Sequence, residues 1–173
     1  MRFAFIECFA GISGDMTLGA LLDWGISLEY LQQELNKLDI SNYSIECKTE
    51  KRHHLAGTKV YISYDEKKQP ERNYTAIKSL IENSTLNQNI KEKSVLAFKL
   101  LGEAEAKIHH STLEKIHFHE VGAVDSIVDI VGTVIGLKKL QIKKVFCSHL
   151  PLGKGFVKCS HGLIPVPARF FQA

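Results

Sequence analysis

Two rhythms of apolar and polar positions alternate along this chain, and each change of rhythm marks an element. Residues 3–9 form a short apolar run, which predicts a buried strand. The turn residues Gly11, Ser13, Gly14 and Asp15 break it. Residues 16–24 then read as a helix ended by Gly25, and Ser27 opens a second helix with Tyr30, Leu31, Leu35 and Leu38 at helical spacing. Residues 43–49 and 58–64 alternate as strands, and the link containing His53 and His54 makes a hairpin of them. Residues 65–73 are the most polar stretch and predict a surface loop. Three helices follow. Residues 74–83 turn Ile77, Leu80 and Ile81 inward, and residues 89–110 turn Val95, Phe98, Leu101, Ala104 and Ile108 inward. The third covers residues 123–140, although its many β-branched residues leave a strand reading open. Residues 144–149 and 155–159 read as strands, with Pro151 and Gly153 turning between them. The order β-α-α-β-β-α-α-α-β-β predicts an α/β (or α+β) fold, a mixed sheet with packed helices, and leaves strand order open.

Composition narrows the class. The chain has 173 residues, 45% of them hydrophobic and 24% charged, enough for one domain with a real core. A net charge of +3 is too weak to suggest nucleic acid, and no apolar run is long enough to cross a bilayer. No signal peptide is seen, because the first apolar run stops at Glu7, so a cytoplasmic protein is expected. Cys8, Cys47, Cys147 and Cys159 form no C-x-x-C pair, and reduced thiols are expected. The charge is uneven. No acid follows Asp129, whereas Lys138, Lys139, Lys143, Lys144, Lys154, Lys158 and Arg169 do. A basic final third suits an anionic small molecule, and equally a solvated surface.

Three segments carry chemistry. The densest is residues 117–129, where His117, His119, Glu120, Asp125 and Asp129 stand among apolar neighbours. These groups bind divalent metals and move protons, and they are costly to bury alone. In an extended segment His117 and His119 share one face and could present two nitrogens to one metal. Imidazole with carboxylate suits nickel, zinc, cobalt or iron, and spacing does not choose among them. Asp125 and Asp129 stack on one face of a helix, a stripe that continues through Gly132 and Gly136. Two buried carboxylates side by side repel unless a cation or a donor sits between them. An N-cap or ion-pair role for Asp125 is the alternative. The second segment runs from Glu7 to Met16. Strand, glycines and helix start expose backbone N–H groups to an anion, so Gly11, Ser13 and Gly14 are candidate substrate contacts. Ser13 or Asp15 could instead cap the helix. In the third segment Lys154 and Lys158 could hold a phosphate, and His161 with Cys159 could ligate a metal. A hairpin with surface lysines explains it as well. The pairs His53-His54 and His109-His110 read as solvated.

Together, residues 7–16, residues 117–129 and the run from Leu150 to Pro167 resemble the LarC family, nickel insertion proteins of nickel-pincer nucleotide cofactor synthesis. The resemblance covers about residues 3–167. It implies a CTP-dependent cyclometallase that inserts nickel into pyridinium-3,5-bisthiocarboxylic acid mononucleotide, an anionic precursor. It further implies that CTP, with magnesium or manganese, binds a C-terminal domain beyond the portion seen here. Residues 1–173 are expected to be a single domain matching the N-terminal portion, acting with a separate C-terminal chain or as a homo-oligomer, and with neither nucleic acid nor membrane. On this reading Asp15, His119 and Glu120 are the candidate catalytic residues. The candidate metal ligands are His117, His119, Asp125, Asp129 and His161. A non-catalytic nickel- or precursor-binding module and an unrelated metal-dependent hydrolase are the rival readings.

Overall fold

The computed structural model describes residues 1–65, 67, 69–70, 72–116, 118, 123–151, 153–159 and 162–166. Its elements are β1 (Arg2–Ile6), α1 (Gly14–Asp23), α2 (Leu28–Leu35), β2 (Tyr43–Arg52), β3 (Leu55–Tyr64), α3 (Tyr74–Asn83), α4 (Gln88–Ile108), α5 (Val124–Lys139), β4 (Ile142–Cys147), β5 (Gly155–Cys159) and β6 (Gly162–Val166). Parallel and antiparallel pairing both occur, as expected of a mixed α/β fold. Among the described residues the strands form three two-stranded sheets: β1 with β4 in parallel, β2 with β3 and β5 with β6 antiparallel.

Helix α5 lies at the centre. Val124, Ile127, Val128, Val131 and Ile135 are fully buried, so the apolar run is a buried helix and not a strand. Each such side chain contributes roughly 1.5–3 kcal/mol of burial free energy. The small stripe of α5 receives α1. A Cβ on Gly132 would stand 3.0 Å from a Leu18 methyl, and one on Gly136 would stand 2.8 Å from a Leu21 methyl. The other side of α1 lies on β3. A Cβ on Gly19 would fall 2.1 Å from the Thr58 carbonyl oxygen, so only glycine allows this contact. Asp23 closes the same contact, accepting from the Thr58 amide at 3.1 Å and from its hydroxyl at 2.5 Å. Those bonds hold the Asp23 carboxyl below its ordinary range.

Three expectations change. The opening run is not buried throughout. In β1 only Ala4 is buried, while Phe3 and Phe5 on the opposite face are 64% and 59% exposed. The alternation of a strand puts one face on the core and leaves the other open. In α4 the inward line is Ile90, Ser94, Phe98, Gly102 and Ala106, and Leu101 points outward. Small residues win these places because they admit close neighbours: a Cβ on Gly102 would lie 2.5 Å from a Leu113 methyl. The hairpin of β2 and β3 is tighter than expected. His53 and His54 are its two-residue turn, both at positive φ and both exposed.

Candidate functional site

The site forms where β1 hands the chain to α1. Ligand crevices in open α/β sheets lie at the carboxyl ends of parallel strands, and β1 and β4 supply such an end. The chain beyond them is held together: the Cys8 amide donates to Ser148 Oγ at 2.8 Å, and the Ser148 amide to the Ile6 carbonyl at 3.0 Å. Gly11 then turns with φ +84, its amide donating to the Cys8 carbonyl, and α1 starts at Gly14.

Helix capping separates this place from the rest of the fold. In α2, α3 and α4 the capping side chains of Ser27, Asn73 and Asn87 accept backbone N–H groups. At α1 the N-cap is Ser13 and at α5 it is Ala123, and neither makes a side-chain cap bond. The Ser13 hydroxyl donates instead to the Asp15 carboxylate. Asp125 is not a cap: it sits in the first turn of α5 and accepts from the Ser126 amide at 2.8 Å. These two helices pack on each other and bring their acidic first turns together.

Asp129 stands at the junction. A Cβ on Gly14 would lie 2.2 Å from its carboxyl carbon, so the glycine makes room for that carboxylate. Its Oδ1 is shielded from solvent and has no hydrogen-bond partner among the described residues. Burial, then repulsion from Asp15 and Asp125, push its pKa up to about 7. An orphaned carboxylate oxygen facing two further carboxylates has unmet demand for a proton or a cation.

A cleft of about 410 Å³ opens beside the acids, between the start of α1 and the β2–β3 hairpin. Ser13, Asp15 and Met16 line one side, and Glu50 and residues 55–59 the other. Sequence reasoning missed Lys59, the cation of this wall. Its ammonium also lies 5.1 Å from the centre of the Tyr61 ring, whose hydroxyl donates to Glu50. No motif marks Lys59, because it reaches the cleft only through the pairing of β3 with β2.

The structure therefore joins Ser13, Gly14, Asp15, Asp125 and Asp129, with Gly11 in the preceding turn. Lys154 is exposed between β4 and β5, and Lys158 lies in β5. The side chain of Lys158, and His117, His119, Glu120 and His161 altogether, lie outside the described residues. Ile116 and Phe118 of that same segment are both buried, and Phe118 meets Phe98 with ring centres 6.4 Å apart. Among the described residues no three of His, Cys, Asp and Glu are grouped so as to hold a metal ion. The three aspartates are an electrostatic cluster that needs further donors to become a chelate.

The family model for nickel insertion proteins matches residues 4–170. The chain belongs to the nickel insertion protein family. It is 50% identical over 168 residues to a protein of Citrifermentans bemidjiense named "Putative nickel insertion protein", covering 97% of this chain and 44% of that one. It is 49% identical, over 97% of this chain and 42% of the relative, to the "Pyridinium-3,5-bisthiocarboxylic acid mononucleotide nickel insertion protein" of Desulfitobacterium hafniense. No solved structure matches. The chain thus spans less than half the length of these curated relatives. Among the described residues no helix is long and apolar enough to cross a membrane.

Proposed function

We propose that residues 1–173 form one domain that receives nickel and an anionic pyridinium mononucleotide, as the N-terminal portion of a cytoplasmic nickel insertase. The observation that carries this reading is the meeting of Asp15, Asp125 and Asp129 at two helix starts without side-chain caps, with one Asp129 oxygen unpaired among the described residues. Family membership supports it, as does the printed name of the Desulfitobacterium hafniense relative.

Nickel(II) is a substrate in this reading. Asp125 and Asp129 draw the cation, and His117, His119 and His161 complete its ligands; imidazole and carboxylate together are a fitting donor set. The cleft beside Asp15 takes the precursor. Its volume is in the range of small-molecule sites, and Met16 and Leu55 offer apolar surface to a planar ring. Lys59 and the Gly11–Gly14 turn face the phosphate, with Lys154 and Lys158 as further cations. When the ring carbon bonds to nickel, the electron pair of its C–H bond passes to the metal and the proton passes to a base. Asp15, His119 and Glu120 are the candidates. CTP and its divalent metal belong, on this reading, to the remaining portion of the longer relatives.

Titration calorimetry with nickel(II) at pH 7.5 tests the ligand set. The His117→Ala, His119→Ala double variant and Asp125→Asn are each expected to lose at least about tenfold in affinity while keeping the parent's circular dichroism. Unchanged affinity in both removes these residues as ligands. A second reading is that the domain carries nickel or precursor to a separate C-terminal chain. Nickel insertion that appears only when the two chains are mixed distinguishes it.

A further inference from the structure

The sheet of β1 and β4 is half a structure. Ala4 on its inner face is buried and α5 packs against β4, whereas its outer face is open among the described residues. Phe3, Phe5 and Phe146 stand there, 64%, 59% and 50% exposed, with the rings of Phe3 and Phe146 edge-to-face at 6.1 Å. Pairing puts Phe5 directly beside Phe146. Parallel strands are ordinarily covered on both faces, because each unpartnered face leaves apolar surface in water. Among the described residues this two-stranded sheet also has two open edges, whose N–H and C=O groups can pair with an added strand.

We infer that this face is the docking surface for the polypeptide that makes up the rest of the longer relatives, and that it covers Phe3, Phe5 and Phe146 and extends the β1–β4 sheet. The matched 168 residues are only 42–44% of those relatives, so more than half of each lies outside the match and is available to cover the sheet. Docking there places the added portion on the sheet whose carboxyl end leads into the aspartate cluster. The inference rests on family membership and not on the nickel chemistry, so it can fail while the proposed function stands.

Hydrogen–deuterium exchange tests it on two intact proteins: this chain, and the full-length nickel insertion protein of Desulfitobacterium hafniense. Peptides aligned with β1 and β4 are expected to exchange at least about tenfold more slowly in the longer protein, relative to peptides aligned with α5. Equal exchange of those strands in the two proteins overturns the inference. In this chain Phe5→Lys is expected to shift the melting temperature by no more than about 2 °C, since its ring is open to solvent among the described residues; a large loss shows that the face belongs to its own core and overturns the inference too. Sedimentation supplies the last arm. A concentration-dependent dimer of this chain abolished by Phe5→Lys makes a second copy the occupant and refutes the assignment.

Discussion

Replacing Asp129 by asparagine removes one charge from the aspartate cluster at almost constant volume, and the effect has a definite sign. The folded state keeps the Asp129 proton up to about pH 7, whereas the ordinary value is 3.8. Between these values the folded chain binds the extra proton, so stability falls as pH rises through the window and the loss is complete above about pH 7. A displacement from 3.8 to about 7 corresponds to about 4 kcal/mol. The carboxyl is only partly buried, so solvent screening reduces this to about 2 kcal/mol. Asp129→Asn is therefore expected to match the parent near pH 4 and to exceed it by about 2 kcal/mol at pH 8, or about 4–8 °C in melting temperature. Urea denaturation of both proteins across that range measures it. Curves that stay parallel from pH 4 to pH 8 refute the claim that burial and the neighbouring acids hold the proton. The same variant is expected to bind nickel more weakly, because the group that costs stability is one the cation compensates.

Nickel affinity of the parent is expected to rise between pH 6 and pH 8 as Asp129 loses its proton, with a smaller rise in Asp129→Asn; calorimetry in several buffers separates this from buffer ionisation. Gly14→Ala drives a methyl into the Asp129 carboxyl and is expected to cost about 1–3 kcal/mol in urea melts and to weaken nickel binding. Gly19→Ala, which meets the rigid Thr58 carbonyl instead of a side chain, is expected to cost a similar 1–3 kcal/mol with the carboxylates left in place. Asp23→Asn loosens the α1–β3 contact. Its contribution is present above the ordinary carboxylate range and is lost as pH falls through the lowered folded value, so parent and variant are expected to converge in acid.

The carboxylates show how function is written against stability here. An asparagine at position 129 satisfies the helix equally well, and an alanine at position 14 is the better helix former. The chain holds instead a carboxylate with one oxygen unpaired among the described residues, and a glycine that makes room for it. Such a combination weakens the fold locally and gains meaning only when a proton or a cation occupies the gap.

Periodicity alone determined most of the elements. The burial of α5, the starts of α2 and α3 at Ser27 and Asn73, and the β2–β3 hairpin follow from patterns within a few residues, where local sterics and capping decide. The i, i+4 spacing of Asp125 and Asp129 likewise put both acids on one face before any packing was known. Tertiary structure decided the rest. The parallel pairing of β1 with β4 joins segments about 140 residues apart, and strand order is not encoded in either segment alone. The meeting of Gly14 with Asp129, and the place of Lys59 on the cleft wall, arise from packing α1 between α5 and β3. Periodicity reports which face of an element is apolar, but not which other element covers it. For that reason the apolar run of β1 reads as a buried strand, whereas Phe3 and Phe5 are exposed among the described residues.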